Sequence, residues 1–388
     1  MMTALLPHVD PEGLLEYSVV FTDRALNHMS LIFQGVMRDI SQTLRRVYNA
    51  EEGAGVALVP GGGTYAMEAV ARQLAHGKKV LVIRNGWFSY RWTQIFDVGA
   101  IPAESIVLKA RQTQSESGAR QQPFQPVPID EVVAVIEAER PNLVFAPHVE
   151  TASGIMLPGG YMKAIADAAH KVGALFVLDC IASGCVWVDM KAVGVDVLIS
   201  APQKGWSASP CSGIVVLSEA AKADVKASIS SSFACDLKKW LEIMEAYEKG
   251  GHAYHATLPT DGLRGFRDAM LETEARGFEK VKEAQLELGA RVRQLFAQRG
   301  FASVAAQGFG APGVVVCYTD DPGIKSGAKF TAVGVQAAAG VPLMCDEPAD
   351  FLTFRVGLFG LDKLADIDRT VGNLERALDE VLGTANVR

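Results

Sequence analysis

The sequence predicts an α/β protein in which a mainly parallel sheet is covered by helices and followed by a smaller α+β C-terminal domain. Three observations lead there. Short apolar runs alternate with amphipathic helical patterns, the arrangement produced when helices connect strands buried on both faces. The texture changes after "LPTDGLRGF" (258–266), where a long charged amphipathic stretch precedes shorter strands. The chain also has 388 residues, 49% of them hydrophobic and 21% charged, more than one ordinary domain core accommodates.

The strand candidates are "KKVLVIRNG" (78–86), "NLVFAP" (142–147), "ALFVLDC" (174–180), "DVLISA" (196–201) and "GIVVLS" (213–218), all rich in Val, Leu and Ile. Between them, "IDEVVAVIEAERP" places its apolar residues largely on one stripe, with Asp130 expected to cap the helix. "GYMKAIADAAHKVG" (160–173) is a second helix, closed by Gly173. The segment 110–128, rich in Gln, Ser, Gly and Pro, reads as a mobile surface excursion and not an element. Residues 266–300 read as one long helix, followed by strands "GVVVCYT" and "FLTFRVG" and a last helix "LADIDRTVGNLERALDEVL". No internal repeat is present.

Composition excludes several function classes. Lys and Arg number 37 against 44 Asp and Glu, a formal charge of −7, and no dense basic run offers a surface for nucleic acid. No apolar run approaches the roughly 18 to 20 residues of a membrane helix, and the start lacks the pattern of a signal peptide, so a cytoplasmic location is expected. Six cysteines without a C-x-x-C pair read as reduced, mostly buried thiols, Cys211 among them. His252 and His255 lack companions at ligand spacing, so no metal site is expected. Small molecules remain as partners.

Three motifs carry chemistry. In "LVPGGGTYAMEA", Gly61, Gly62 and Gly63 let backbone approach a ligand, and the helix beginning near Thr64 directs free N–H groups at an anion. A phosphate fits there, although the same glycines would serve a plain turn. Gly61, Gly63 and Ala66 also match G-x-G-x-x-A, and Arg84 at the end of the next strand would suit NADP, so a dinucleotide site stays open. Asp179 ends an apolar strand, where ligands gather in open parallel sheets, or else caps a turn. Ser183, just after it, could add a hydrogen bond. Lys204 ends another strand. It is either a solvated surface charge or a partly desolvated amine able to form a Schiff base. A phosphate loop, an aldehyde-accepting lysine and an acid to pair a pyridinium together describe a pyridoxal phosphate site.

The ordered set "GGGTYAMEA … NGWFSYR … HVETASG … LDCIAS … SAPQK … YHATLPT … FRVGLFG" resembles the class V aminotransferases of the fold type I pyridoxal-phosphate family, in particular the alanine–glyoxylate and serine–pyruvate group. The resemblance spans about residues 50 to 360. It implies a seven-stranded-type sheet, with an arm at 1–22, a large cofactor domain at 23–258 and a small domain at 259–388. It implies that Lys204 links to the cofactor and shuttles a proton, and that Asp179 pairs with the ring nitrogen. Gly62, Gly63, Thr64 and Gln203 match the phosphate cradle. Phe88 matches the aromatic that stacks on the ring, with Trp87 its substitute, and Thr151 matches the residue that bonds the phenolic oxygen. Ser183 belongs to the same cofactor set. Tyr254 and Thr257 match positions that reach the neighbouring subunit's phosphate, which implies a homodimer. Arg355 matches the arginine that clamps the substrate carboxylate.

The chain also departs from that pattern. A "PGP" turn expected near the start is replaced by "PEGLLEYSVVFTDRALNHMS", so Tyr17, Phe21 and Thr22 are expected to line a rebuilt side-chain pocket. Trp206 stands where a smaller residue is expected and bears on the amino donor. The phosphate loop also resembles that of 2-aminoethylphosphonate transaminase. Gln203 argues against cysteine desulfurases and related lyases, which carry His at that position. The expected reaction moves an amino group from a small amino acid to a 2-oxo acid, with a side-chain lyase or a non-catalytic nucleotide-binding protein as alternatives.

Overall fold

The computed structural model describes residues 14–114 and 121–383. Its main sheet contains seven strands: β1 (Gly55–Pro60), β2 (Lys79–Arg84), β3 (Glu104–Lys109), β4 (Leu143–Pro147), β5 (Leu175–Asp179), β6 (Val197–Ser200) and β7 (Ser212–Leu217). Their spatial order is β1-β7-β6-β5-β4-β2-β3. Parallel pairing joins β3 to β2, β2 to β4, β4 to β5 and β5 to β6. β7 runs antiparallel to both of its neighbours, β6 and β1. The carboxyl ends of the parallel strands therefore open on one edge, the edge where such sheets bind ligands.

Burial explains why these segments are strands. Phe176, Val177 and Leu178 of β5 and Val197, Leu198 and Ile199 of β6 are all 0% exposed, each large side chain contributing about 1.5–3 kcal/mol relative to exposure. Two strands, β1 and β3, are additional to the five runs read from the sequence. β3 is an edge strand, exposed at Glu104 and Ser105 and half-buried beyond, so it shows no continuous apolar run. β1 is apolar, but its end merges into the glycine loop that dominates the reading of "LVPGGG".

Helices Gly63–Leu74, Trp87–Gly99, Ile129–Glu139 and Gly159–Lys171 connect the strands. Gly173, at φ +79°, closes the last of these as expected. Asp130 does not cap: Pro128 holds that position and Asp130 lies in the first turn, where its charge still suits the helix dipole. The stretch 266–300 is two helices, Thr260–Arg276 and Phe278–Gln298. Gly277 divides them at φ +92°, a left-handed conformation that interrupts helical bonding. Leu263, Phe266 and Met270 of the first helix join the large hydrophobic core, whereas Val281, Leu288 and Val292 of the second join a separate one.

That second core lies under an antiparallel sheet of β8 (Val314–Tyr318), β9 (Ala338–Ala339) and β10 (Thr353–Gly357), with β10 central. The helix Ile367–Leu382 covers it, capped by the Asp366 carboxylate accepting from Arg369 N–H. The segment 110–128 is anchored, contrary to expectation. Arg111–Gln112 pairs with Phe124–Gln125, Phe124 is 1% exposed, and Phe124 N–H donates to the Val304 carbonyl at 2.7 Å. Residues 115–120 of that excursion lie outside the described residues. No helix among the described residues is long and apolar enough to cross a membrane.

Candidate active site

β6 ends at Ser200, and the chain then turns so that Lys204 faces a cavity of about 200 Å³. The turn is fixed from both sides. Ser207 N–H donates to the Lys204 carbonyl at 3.2 Å, and Ala208 N–H to the Pro202 carbonyl at 3.1 Å. Gly205 lies so close to Gly184 that a Cβ there would overlap the Gly184 carbonyl oxygen. Trp206 is buried, its ring tilted against Trp187 at 4.6 Å and edge-on to Phe266 and Phe278. It does not line the cavity. The expectation that Trp206 shapes the donor pocket is therefore corrected: its bulk fills the core beneath the lysine turn, and Trp187 occupies the space against it.

β5 delivers Asp179 to the opposite wall. One carboxylate oxygen accepts from Ile181 N–H at 2.9 Å, and no donor among the described residues bonds the other. Burial, before any other influence, raises its pKa from 3.8 to about 7. Lys204 moves the other way. Burial and then the nearby Arg355 charge lower its pKa, partly offset by Asp179. Its ammonium lies 5.0 Å from the centre of the Phe359 ring. The cavity thus holds an amine whose pKa burial lowers and a carboxyl short of a partner. A ligand that offers an electrophilic carbon to one and an N–H to the other would satisfy both.

The third wall is the start of helix Gly63–Leu74, with Gly62 as its extended N-cap. The first N–H groups of a helix have no intrahelical acceptor and suit an anion. Gly63 and Thr64 line the cavity, as does Gln203. A Cβ at Gly63 would overlap the Ile181 side chain, so glycine is what lets these two walls approach. Gly62, the N-cap, is not among the lining residues.

Phe88 and Thr151 complete the lining, on the helix Trp87–Gly99 and on the hairpin of Val149–Glu150 with Ile155–Met156. Trp87 turns instead toward Tyr90, 5.5 Å away, which leaves Phe88 as the ring at the site. Arg355, on β10, sits with its guanidinium 5.6 Å from the Phe88 ring centre, its Nε donating to the Ala339 carbonyl at 2.9 Å. Burial lowers its pKa.

Other expected residues lie elsewhere. The Ser183 hydroxyl meets His148 Nδ1 at 2.7 Å and is buried behind the wall. Burial holds that histidine near pKa 4, hence neutral. Arg84 is 6% exposed, with its guanidinium donating to the Met344 carbonyl and Thr93 hydroxyl and stacked 4.7 Å from Tyr90. It is committed internally, which removes the support for a dinucleotide phosphate. Tyr17 is exposed, and Phe21 packs 5.6 Å from His28; neither they nor Thr22 line this chain's cavity. Tyr254 and Thr257 are also exposed and outside it, their hydroxyls 3.2 Å apart.

Two functional candidates escaped sequence reading although they stand in motifs already singled out. Arg91 lines the cavity and donates to the Thr64 hydroxyl at 2.9 Å, its guanidinium 5.1 Å from the Phe88 ring centre. Glu150, 0% exposed, accepts from Phe88 and Ser89 N–H and from Ala152 N–H, tying the two loops that carry Phe88 and Thr151. The thiols agree with expectation, since all six cysteines are free and buried.

The family model "Aminotransferase class-V" matches residues 13–308. The chain is a class V aminotransferase. Enzymes of this class depend on pyridoxal phosphate, and the cavity fits that group: a buried carboxyl bonded only by Ile181 N–H among the described residues at one wall, a desolvated lysine amine at another and a helix N-terminus at the third. This aminotransferase is 27% identical over 346 residues to a 2-aminoethylphosphonate–pyruvate transaminase of Syntrophobacter fumaroxidans, covering 87% of this chain and 86% of that one. It is 26% identical over 282 residues to a serine–glyoxylate aminotransferase of Methylorubrum extorquens, covering 72% and 67%. Its fold superposes on the crystal structure of alanine–glyoxylate aminotransferase from Nostoc sp. with a TM-score of 0.73 at 21% identity, over 92% of this chain and 89% of that one.

Proposed function

We propose that this aminotransferase carries an amino group from a small amino acid of the alanine or serine type to a 2-oxo acid such as glyoxylate or pyruvate, with Lys204 as the cofactor-linked base. The observation that carries the reading is the desolvated Lys204 amine facing the same cavity as the raised carboxyl of Asp179. When bound, pyridoxal phosphate supplies an aldehyde carbon and a ring that takes up the charge left when a substrate Cα proton departs. Gly62, Gly63 and Thr64 at the helix N-terminus, with Gln203, would hold its phosphate, and Thr151 its phenolic oxygen. Phe88 would cover one ring face, and the ionised Asp179 would hold the proton on the ring nitrogen.

Lys204, whose pKa burial lowers, can take the substrate's Cα proton and return it elsewhere. Arg355 presents a fork of donors to the substrate carboxylate, and Phe88 beneath it limits where that carboxylate can sit. Ser183 contributes through His148, by bracing the wall at Asp179: His148 N–H donates to the Asp179 carbonyl at 2.8 Å.

A homodimer belongs to the same reading, because Tyr254 and Thr257 are exposed outside this chain's cavity, their hydroxyls bonded to each other at 3.2 Å as a pair that a second copy's phosphate could engage. The division into a large domain (23–258) and a small domain (259–388) is supported by a separate core in each, with helix Thr260–Arg276 still lying on the large one and a third cluster joining Val149 and Ala152 to Val314 and Val316; residues 1–13 of the proposed arm (1–22) lie outside the described residues. A cytoplasmic location is supported by six unpaired cysteines.

A second reading, a 2-aminoethylphosphonate-type transaminase, is favoured by the relative of Syntrophobacter fumaroxidans, which aligns over most of both chains. A panel of donors tests both. With alanine or serine the visible spectrum of the holoenzyme changes to that of the aminated cofactor and returns on adding glyoxylate or pyruvate. A response to 2-aminoethylphosphonate alone would select the second reading, and release of a side-chain fragment would select a lyase.

A further inference from the structure

Burial lowers the pKa of three arginines, Arg84, Arg293 and Arg355. Arg84 is committed to Thr93, Met344 and Tyr90, and Arg355 belongs to the active site. Arg293, on helix Phe278–Gln298, is left without a role. Its guanidinium donates to the Ala311 carbonyl and, at 3.5 Å, to the Gly289 carbonyl. No carboxylate of a described residue pairs with it. A Cβ at Gly310 would stand 2.5 Å from its Nε, so this glycine lets the guanidinium lie flat on the backbone.

Beside it opens a cleft of about 630 Å³ with largely apolar walls, among them Pro123, Leu286 and Pro312, and with Gln121, Ser303 and Gln307 as further polar groups. A half-buried cation paired only with carbonyls has lost hydration without gaining an opposite charge. Few polar groups on apolar walls are the usual make-up of a small-molecule site, and a guanidinium fork matches a carboxylate. The cleft is also tied to the active site. Ala311, whose carbonyl accepts from Arg293, donates its N–H to the Gly154 carbonyl at 2.8 Å, and Met156 N–H donates to the Phe309 carbonyl at 2.6 Å. Gly154 and Met156 frame the hairpin that carries Thr151.

We propose that this cleft is an effector site in which Arg293 binds a small organic carboxylate with an apolar body, and that occupancy is felt at the Thr151 hairpin. The site is separate from the cavity of Lys204 and does not depend on which substrates that cavity takes.

Benzoate is the probe and benzamide its neutral counterpart, titrated calorimetrically into the holoenzyme carrying Arg355→Ala, which removes the carboxylate clamp of the active site. Benzoate is expected to bind this protein, benzamide about tenfold more weakly or worse, and Arg293→Met in the same background to weaken benzoate at least about tenfold. Ala290→Phe, at an exposed helix position, fills the cleft while leaving the charge and the fold in place, and should weaken benzoate equally. In otherwise unaltered enzyme at saturating 2-oxo acid, which displaces benzoate from the Arg355 clamp, benzoate should change kcat about threefold, and Ala290→Phe should abolish that change while leaving kcat without benzoate unchanged. Absence of binding to the Arg355→Ala protein up to about 10 mM overturns the site, as does undiminished binding after Ala290→Phe. A change in kcat that is absent, or that survives Ala290→Phe, overturns the effector role.

Discussion

Ser89 donates to the Glu150 carboxylate twice, through its backbone N–H at 2.8 Å and its hydroxyl at 2.6 Å. Phe88 N–H at 3.2 Å and Ala152 N–H at 2.9 Å add to this, so one fully buried carboxylate gathers the start of the Phe88 helix and the loop of Thr151. Gly86 is part of the same packing, since a Cβ there would stand 2.7 Å from Glu150 Cγ. Replacing Glu150 by Gln keeps the shape but turns an acceptor into a donor facing other donors, which costs about 1–3 kcal/mol. Glu150→Gln should lower the melting temperature and loosen cofactor binding together, measured by thermal unfolding and by cofactor titration. Loss of stability with unchanged cofactor affinity would deny that Glu150 positions the two loops.

Asp179 makes stability pH-dependent. Its carboxyl holds its proton up to about pH 7 in the folded apoprotein against an ordinary value of 3.8, so folding raises its proton affinity. The stability it contributes is fully present below about pH 4 and is lost as pH rises through about 7, a change on the order of a few kcal/mol. Denaturant unfolding of apoprotein across that window should show the decline, and Asp179→Asn should flatten it. Equal slopes for the two proteins would mean that the carboxyl is hydrated and not desolvated.

Gly205 is expected to tolerate no side chain. Gly205→Ala forces a methyl into the Gly184 carbonyl, and neither backbone segment has room to yield, because Cys185 Sγ bonds the Gly205 carbonyl at 3.4 Å and Trp206 is locked in the core. Overpacking of this kind costs about 1–3 kcal/mol, and displacing the neighbouring amine by about 1 Å would reduce kcat on the order of a hundredfold. Thermal unfolding and steady-state kinetics on one preparation read both effects. An active, stable Gly205→Ala enzyme would show that the lysine turn is loose.

The sheet was legible where strands are buried on both faces, as in β4, β5 and β6, because burial demands an unbroken apolar run. It was not legible at β3, an edge whose charged start carries no such signal. The break at Gly277 was hidden by the amphipathic pattern, which continues through it and in which one glycine is an ordinary helix defect. Within the site, Lys204, Asp179 and Gly63 were legible at the cavity because strand ends and helix starts point to the same edge of the sheet, whereas Phe88 was legible only through the family motif it matches. Trp206 misled for the opposite reason: adjacency in sequence to Lys204 says nothing about which way a turn directs the two side chains. Ser183 similarly stands beside Asp179 in the chain, yet its hydroxyl is captured by His148, a contact that only the folded chain brings about. Glu150 and Arg91 act by bonding loops that are far apart in sequence, and no local pattern records that.

The most direct measurement is borohydride reduction of the holoenzyme followed by digestion and mass analysis of the pyridoxyl peptide. The modified residue should be Lys204, and Lys204→Ala should lose both the visible absorption band and the reducible adduct while still folding. An adduct on another lysine, or one that persists in Lys204→Ala, would contradict the assignment of Lys204 as the cofactor-linked base.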